Sequence, residues 1–261
     1  EPEERNEAYT ALTGSFEIPY KEWHTWNEKI HELSRIQRKN NIPANIIGKR
    51  AARELRVDDI VNIGIGIPET VSRYARKSGM LDMITLTVES GGIGGFPVSG
   101  EAFGAMIGAA SVYDMANQFD LYDNGGLDVC FIGALEVDRH GNINAHRGTG
   151  AFAGIGGFAN ITAKTPTVGF CMTFNAKGLE VTQEKGVVTI HKEGEISKFV
   201  EKVSSVSFSA KRAIENGQKV LYVTERCVFR LTPKGLKLIE VYPGVDIQKD
   251  ILDRLPFEVE V

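Results

Sequence analysis

The chain has 261 residues, a net charge of −4 and 42% apolar side chains. These numbers predict one large α/β domain or two small ones, with enough chain to bury a substantial core. Charges of both signs are mixed along the chain with no basic stripe, which excludes nucleic acid as the expected partner. No apolar run approaches the ~18 residues of a membrane span and no secretory signal is visible, so the expectation is a protein of the cytoplasm or an organelle matrix with no membrane partner. Cys130, Cys171 and Cys227 are odd in number and far apart, and read as buried thiols rather than a disulfide or zinc framework. The first residues are EPEER, without Met, which predicts a chain that is processed, trimmed or a piece of something longer.

Residues 1–20 are polar and broken by Pro2, Gly14 and Pro19, as in a linker or a clasp on another surface. Trp23 and Trp26 open a charged, helix-prone stretch that ends at the NNIP of residues 40–43. The division expected is an arm over 1–43 and a folded domain over 44–261. Pro43 suits the first turn of a helix running to about Arg56, with Ile46, Ile47, Ala51 and Leu55 on one face. Residues 59–63 read as a strand, GIGIP at 64–68 as a turn, and a helix follows to about Lys77 with Gly79 as its stop. A strand over 83–88 completes a βαβ unit, which implies a parallel sheet. Gly64 and Gly66 in that turn fit either a phosphate at the helix N-terminus or tight packing; the third glycine of a dinucleotide fingerprint is missing. Further strands are expected at 129–134, 167–173, 187–191, 219–223, 228–231 and 236–241. Residues 135–144 read as a hairpin with His140, Gly141 and Asn142 at its turn, and short helices are expected at 209–215 and 246–252.

The chemistry concentrates in TLTVESGGIGGF at residues 85–96. A β-branched, apolar run ends in Glu89, and Gly91, Gly92, Gly94 and Gly95 follow; the GIGGF of residues 92–96 recurs letter for letter at 154–158. Strand carboxyl ends face the ligand crevice in open α/β sheets. A carboxylate there can be base, metal ligand or nucleophile, and glycine loops let backbone amides approach an oxyanion. The plain alternative is a strand–turn connection with a solvated Glu. His24, His31, His140, His146 and His191 lack a companion nucleophile or metal-ligand spacing, so no metal is expected. Asp114, Asn117, Asp120, Asp123 and Asp128 around Gly125 and Gly126 read mostly as cap and turn chemistry. Asn175, Lys177 and Gly178 follow a core strand and are weaker candidates for the crevice.

Taken together, DIVNIGIGIP at 59–68, TLTVESGGIGGFP at 85–97, FDLYDNGGLD at 119–128, FIGALEVD at 131–138 with GNIN at 141–144, GIGGF at 154–158, and YVTE at 222–225 through YPGVD at 242–246 resemble the family I CoA-transferases. The likeness is to the C-terminal, β half of the acetate/propionate/3-ketoacid type and runs from about Ala44 to Leu252. It implies an open, largely parallel twisted sheet flanked by helices. It also implies a ping-pong exchange of CoA between a short-chain acyl-CoA and a carboxylic acid, with Glu89 as nucleophile and coenzyme A as substrate and covalent partner, no cofactor being permanently bound. By the family's pattern, Gly154, Gly156, Gly157 and Phe158 lie in the loop that serves the oxyanion and contacts CoA. Gly64, Gly66, Gly91, Gly94, Gly95, Phe96 and Asn117 are expected to line the substrate pocket, with Phe103, Met106 and Phe119 nearby. The implied partner is an α subunit or the N-terminal half of one polypeptide, in an α2β2 or higher assembly, with the arm over 1–43 as connection or contact. Two alternatives stay open: an acyl-CoA hydrolase using the same glutamate, and a non-catalytic CoA or sugar-phosphate binding module.

Overall fold

The computed structural model describes residues 41–98, 104–148 and 154–261. Trp23, Trp26, His24, His31 and most of the expected arm, like Phe103, lie outside the described residues. In chain order the elements are α1 (Ile42–Ala51), β1 (Ile60–Ile63), α2 (Glu69–Lys77), β2 (Thr85–Thr87), β3 (Gly92–Ile93), β4 (Phe96–Pro97), β5 (Met106–Ile107), β6 (Ser111–Val112), α3 (Met115–Asp123) and β7 (Val129–Ile132). Then come β8 (Glu136–Asp138), β9 (Ile143–Asn144), α4 (Phe158–Ala163), β10 (Thr167–Cys171), β11 (Asn175–Ala176), β12 (Glu180–Glu184) and β13 (Val187–Lys192). The chain closes with β14 (Ile196–Ser197), β15 (Phe199–Val200), α5 (Ala210–Glu215), β16 (Lys219–Val223), β17 (Cys227–Thr232), β18 (Gly235–Val241) and α6 (Ile247–Asp250).

Nine strands form one sheet in the order β18-β17-β16-β10-β7-β1-β2-β3-β6. The five central strands, β16, β10, β7, β1 and β2, run parallel, and antiparallel pairs extend both edges. β2 lies on one side of β1 and β7 on the other, so the strand order reverses there. Such a reversal opens a crevice at the strands' carboxyl ends.

Alternation along the strands sorts the core into two layers. Val129 and Phe131 of β7 point to one side with Val61, Ile63, Leu86, Leu221 and Val223, under α1 and α2. Cys130 and Ile132 point to the other with Val168, Phe170, Val220 and Tyr222, under α3, α4 and α5. The predicted βαβ unit is present: β1 and β2 pair in parallel with Ile60 opposite Thr85. Asn41 caps α1 by accepting the Ala44 N–H at 3.0 Å. The 135–144 hairpin also forms; Asp138 Oδ1 accepts the amides of His140 and Asn142, each at 3.0 Å, across its turn.

The second half of the chain is fastened by a fully buried arginine. Arg226 follows β16 and donates to Glu225 Oε1 at 2.7 Å, to both oxygens of Glu193 at 2.8 Å and to the Asp250 carbonyl at 2.9 Å. Its guanidinium lies 4.5 Å from the centre of the Phe174 ring. Burial pushes the Glu193 carboxyl up, but the Arg226 guanidinium and the Asn175 amide outweigh it and hold the group below the usual range. A depressed folded-state value contributes stability that is complete above the unfolded value and lost as pH falls through the folded one.

Arg226→Met should therefore cost about 3–5 kcal/mol in chemical denaturation, because Glu225 is left buried without its cation. Glu193→Gln should destabilise at neutral pH, with the gap to the parent chain closing as pH falls below the ordinary glutamate range; a gap that widens on acidification would contradict the assignment.

Candidate active site

β2 ends at Thr87, and the chain turns at once. Val88 N–H donates to the Gly92 carbonyl and Gly91 N–H to the Val88 carbonyl, both at 3.0 Å, so Glu89 and Ser90 are the corner residues of a tight turn into β3. Gly91 has φ +115°, and a Cβ on it would overlap the Tyr113 carbonyl. Only glycine fits both demands. Tyr113 N–H binds the Gly91 carbonyl at 2.9 Å, and the Ser90 hydroxyl donates to the Gly104 carbonyl. The corner is thus fixed from two sides, and the half-buried Glu89 side chain projects from the carboxyl end of the parallel strands.

The second glycine loop meets it there. Gly157 precedes α4 with φ −74°, a conformation open to any residue, so space and not backbone demands glycine. A Cβ on Gly157 would overlap Glu89 Oε2 and stand 2.8 Å from the edge of the Phe119 ring. The carboxylate therefore rests on the Gly157 α-carbon with Phe119 as a second wall. Asn160 of α4 donates to both oxygens of Asp123 of α3 at 3.0 Å, which fixes these two walls to each other. The N–H groups of Gly156 and Gly157 take no hydrogen-bond partner among the described residues.

Beneath the carboxylate lies a buried polar cluster. Thr87 is the last residue of β2, two residues before Glu89, and faces α3. Thr87 Oγ1 donates to the Val61 carbonyl at 3.1 Å, Tyr122 Oη donates to Thr87 Oγ1 at 2.9 Å, and Asn62 Nδ2 donates to Tyr122 Oη at 3.3 Å. Burial pushes the Tyr122 hydroxyl up; Thr87, Gln118 and Asn62 oppose that shift, and the nearby Glu89 charge adds to it. Gln118, one turn earlier on α3, is fully buried, yet among the described residues neither its amide nitrogen nor its amide oxygen completes a hydrogen bond.

The two GIGGF copies differ in use. In the first, Gly94 N–H donates to the Leu86 carbonyl at 2.9 Å and Gly95 N–H to Met106 Sδ at 3.2 Å, while Phe96 is buried in the core. Gly64 N–H continues the sheet to the Phe131 carbonyl at 2.8 Å. Gly66 N–H donates to Glu69 Oε1 at 2.7 Å, a carboxylate from the first turn of α2. Asn117 is exposed and bound to Asp114, the cap of α3. Its nearest described role is that cap. His146 Nδ1 lies 2.8 Å from Ser207 Oγ. Burial drives the Cys130 thiol up to about 12 and lifts Cys171 and Cys227 further. Among the described residues no group of three or more His, Cys, Asp or Glu could hold a metal ion, and no helix is long and apolar enough to cross a membrane.

Sequence reasoning missed Asn62, Thr87, Gln118 and Tyr122. The signal available was a polar residue inside each of two apolar runs, IVNI and TLTV, which only a shared buried partner makes affordable.

The family model described as "Coenzyme A transferase" matches residues 44–249. Acetate CoA-transferase YdiF of Escherichia coli K12 is 43% identical over 222 residues, 84% of this chain and 42% of that one. Acetate CoA-transferase subunit beta of the same organism is 30% identical over 212 residues, 77% of this chain and 86% of that one. The acyl-CoA transferase YdiF of E. coli O157:H7, solved as a thioester complex with CoA, superposes with a TM-score of 0.78 at 40% identity, covering 84% of this chain and 41% of that chain. The chain thus spans about two fifths of the longer relatives and most of the subunit-sized one. With the motifs in order and the sheet they predicted in place, the chain belongs to the coenzyme A transferase family.

Proposed function

We propose that the chain is the C-terminal, β-type half of a CoA-transferase that exchanges CoA between a short-chain acyl-CoA and a carboxylic acid through a glutamyl-CoA thioester on Glu89. The observation that carries this reading is the Glu89 carboxylate seated on Gly157 at the sheet's carboxyl edge, beside the Gly156 and Gly157 amides, which have no partner among the described residues. The thioester complex of the YdiF relative supports it.

The steps balance without a proton or cofactor. Glu89 attacks the thioester carbonyl, the C–S bond breaks, and a mixed anhydride and CoA thiolate form. The thiolate attacks the glutamyl carbonyl, the anhydride C–O bond breaks, and the first acid leaves as carboxylate. The second acid attacks the glutamyl thioester and releases the thiolate, which takes the acyl group and frees Glu89. Covalent catalysis splits one hard exchange into easier ones. Each step passes an oxyanion, for which the Gly156 and Gly157 amides are the assigned donors, at about 2.7–4 kcal/mol per donor.

The remaining length of the longer relatives corresponds to the partner proposed here, an α subunit or preceding half. Residues 1–43 are assigned as its connection or contact, and the assembly as α2β2 or a dimer of fused chains.

Glu89→Gln in the complete enzyme should lower exchange by roughly three orders of magnitude or more while the fold survives. Incubation with acetyl-CoA followed by borohydride or hydroxylamine should mark the Glu89 peptide. A CoA-competent enzyme that leaves this peptide unmodified would sink the mechanism, and acid release without an acceptor carboxylate would move the reading to a hydrolase. Gly157→Ala should cost about 100-fold in exchange by displacing the nucleophile with little change in thermal midpoint; full activity would remove the Gly157 contact from the mechanism.

A further inference from the structure

We propose that Gln118 is a positioning residue of the Glu89 site, acting through the Tyr122 hydroxyl to keep the glutamyl side chain in place as its charge is lost and regained. The inference rests on the nucleophilic role of Glu89. Gln118 and Tyr122 are four residues apart on α3 and share its buried face, while Phe119 between them forms a wall of the site. Gln118 is fully buried, and both polar atoms of its carboxamide lack hydrogen-bond partners among the described residues. An apolar residue of the same length would avoid that penalty. The carboxamide stands close enough to the Tyr122 hydroxyl to oppose the effect of burial upon it.

The Tyr122 hydroxyl has one proton, given to Thr87, and accepts one from Asn62. Glu89 passes from an anion to a neutral acyl carbonyl and back once per exchange, and its charge is felt at that hydroxyl. A rigid set of bonds suits one of those states. A two-sided amide beside the hydroxyl offers both a spare acceptor and a spare donor. The O–H can then turn from Thr87 toward Gln118 when the neighbouring charge disappears, and turn back when it returns, without loss of a hydrogen bond. The cost of the unpartnered amide in one state is the condition for satisfying the other.

The test uses the complete enzyme with Gln118→Met and Gln118→Glu. Gln118→Met should keep or raise the thermal midpoint, lower kcat about tenfold or more, and leave both KM values within about twofold. Gln118→Glu, whose protonated acid donates and accepts as the amide does, should recover rate at low pH and lose it as the acid ionises with rising pH, a limb the parent enzyme lacks. Full kcat in Gln118→Met overturns the proposal, and so does a Gln118→Glu profile parallel to the parent's. Exchange that survives Glu89→Gln would sink the underlying reading instead; a dead Glu89→Gln beside a fully active Gln118→Met sinks this inference alone.

Discussion

A carboxylate that attacks a carbonyl must be held in place without being neutralised. A cation against Glu89 would fix it and blunt it together, since an ion pair stabilises the anionic ground state more than a transition state that disperses its charge. Among the described residues no cation pairs with Glu89. The side chain is held by shape: a turn corner locked by Gly91 and Tyr113, the α-carbon of Gly157, and the edge of Phe119. The glycine at 157 acts on the nucleophile's position most directly, because one methyl group there would displace a carboxylate oxygen. The rest of the α3 and α4 layer follows from keeping those two backbones at contact distance, with Asp123 and Asn160 as the latch.

The strong ion pairs lie elsewhere. Arg226 joins Glu225, Glu193 and Asp250 below the far strands of the sheet, and Arg50 of α1 joins Glu54 and Glu240. Both anchor elements that carry no reacting group. The cluster beneath Glu89 is built instead of neutral dipoles, Asn62, Thr87, Tyr122 and Gln118, whose field can support a charge without cancelling it. Placing the polar cluster under α3 requires Asn62 and Thr87 to be direct neighbours on parallel strands, and the register sets them opposite each other. A one-residue slip would send both into the apolar layer beneath α1 and α2.

The central strands were legible because their alternation and β-branched content matched their burial; residues 219–223 were placed to the residue. The βαβ unit was legible through its caps and stop glycine. The helices lining the site were not. α3 opens on Asp114, whose cap-or-turn chemistry does not by itself announce a helix, and it carries polar residues on both faces, so no helical stripe of apolar residues stood out. α4 has six residues and no side-chain cap. The glycine repeat marked the site, yet identical letters carry different work: one copy gives its Gly94 and Gly95 amides to the Leu86 carbonyl and the Met106 sulfur, and the other leaves the Gly156 and Gly157 amides without a partner among the described residues, next to a carboxylate. That difference is set by the neighbours each loop meets after folding, which the pentapeptide does not encode.

One flank of the site is open. Residues 110–117 are exposed without interruption, and Val112, Tyr113 and Met115 are among them at 75%, 50% and 56%. This stretch is bonded to Gly91, two residues from Glu89. Apolar residues next to a reacting carboxylate have a purpose if another surface covers them, since excluding water strengthens every dipole that acts on the oxyanion and protects a thioester from hydrolysis. The longer relatives have more than half of their length beyond the part matched here. On the proposed function that remainder closes the flank, and the division of labour is plain: this half fixes the nucleophile and the dipoles around it, and the other half makes the site dry.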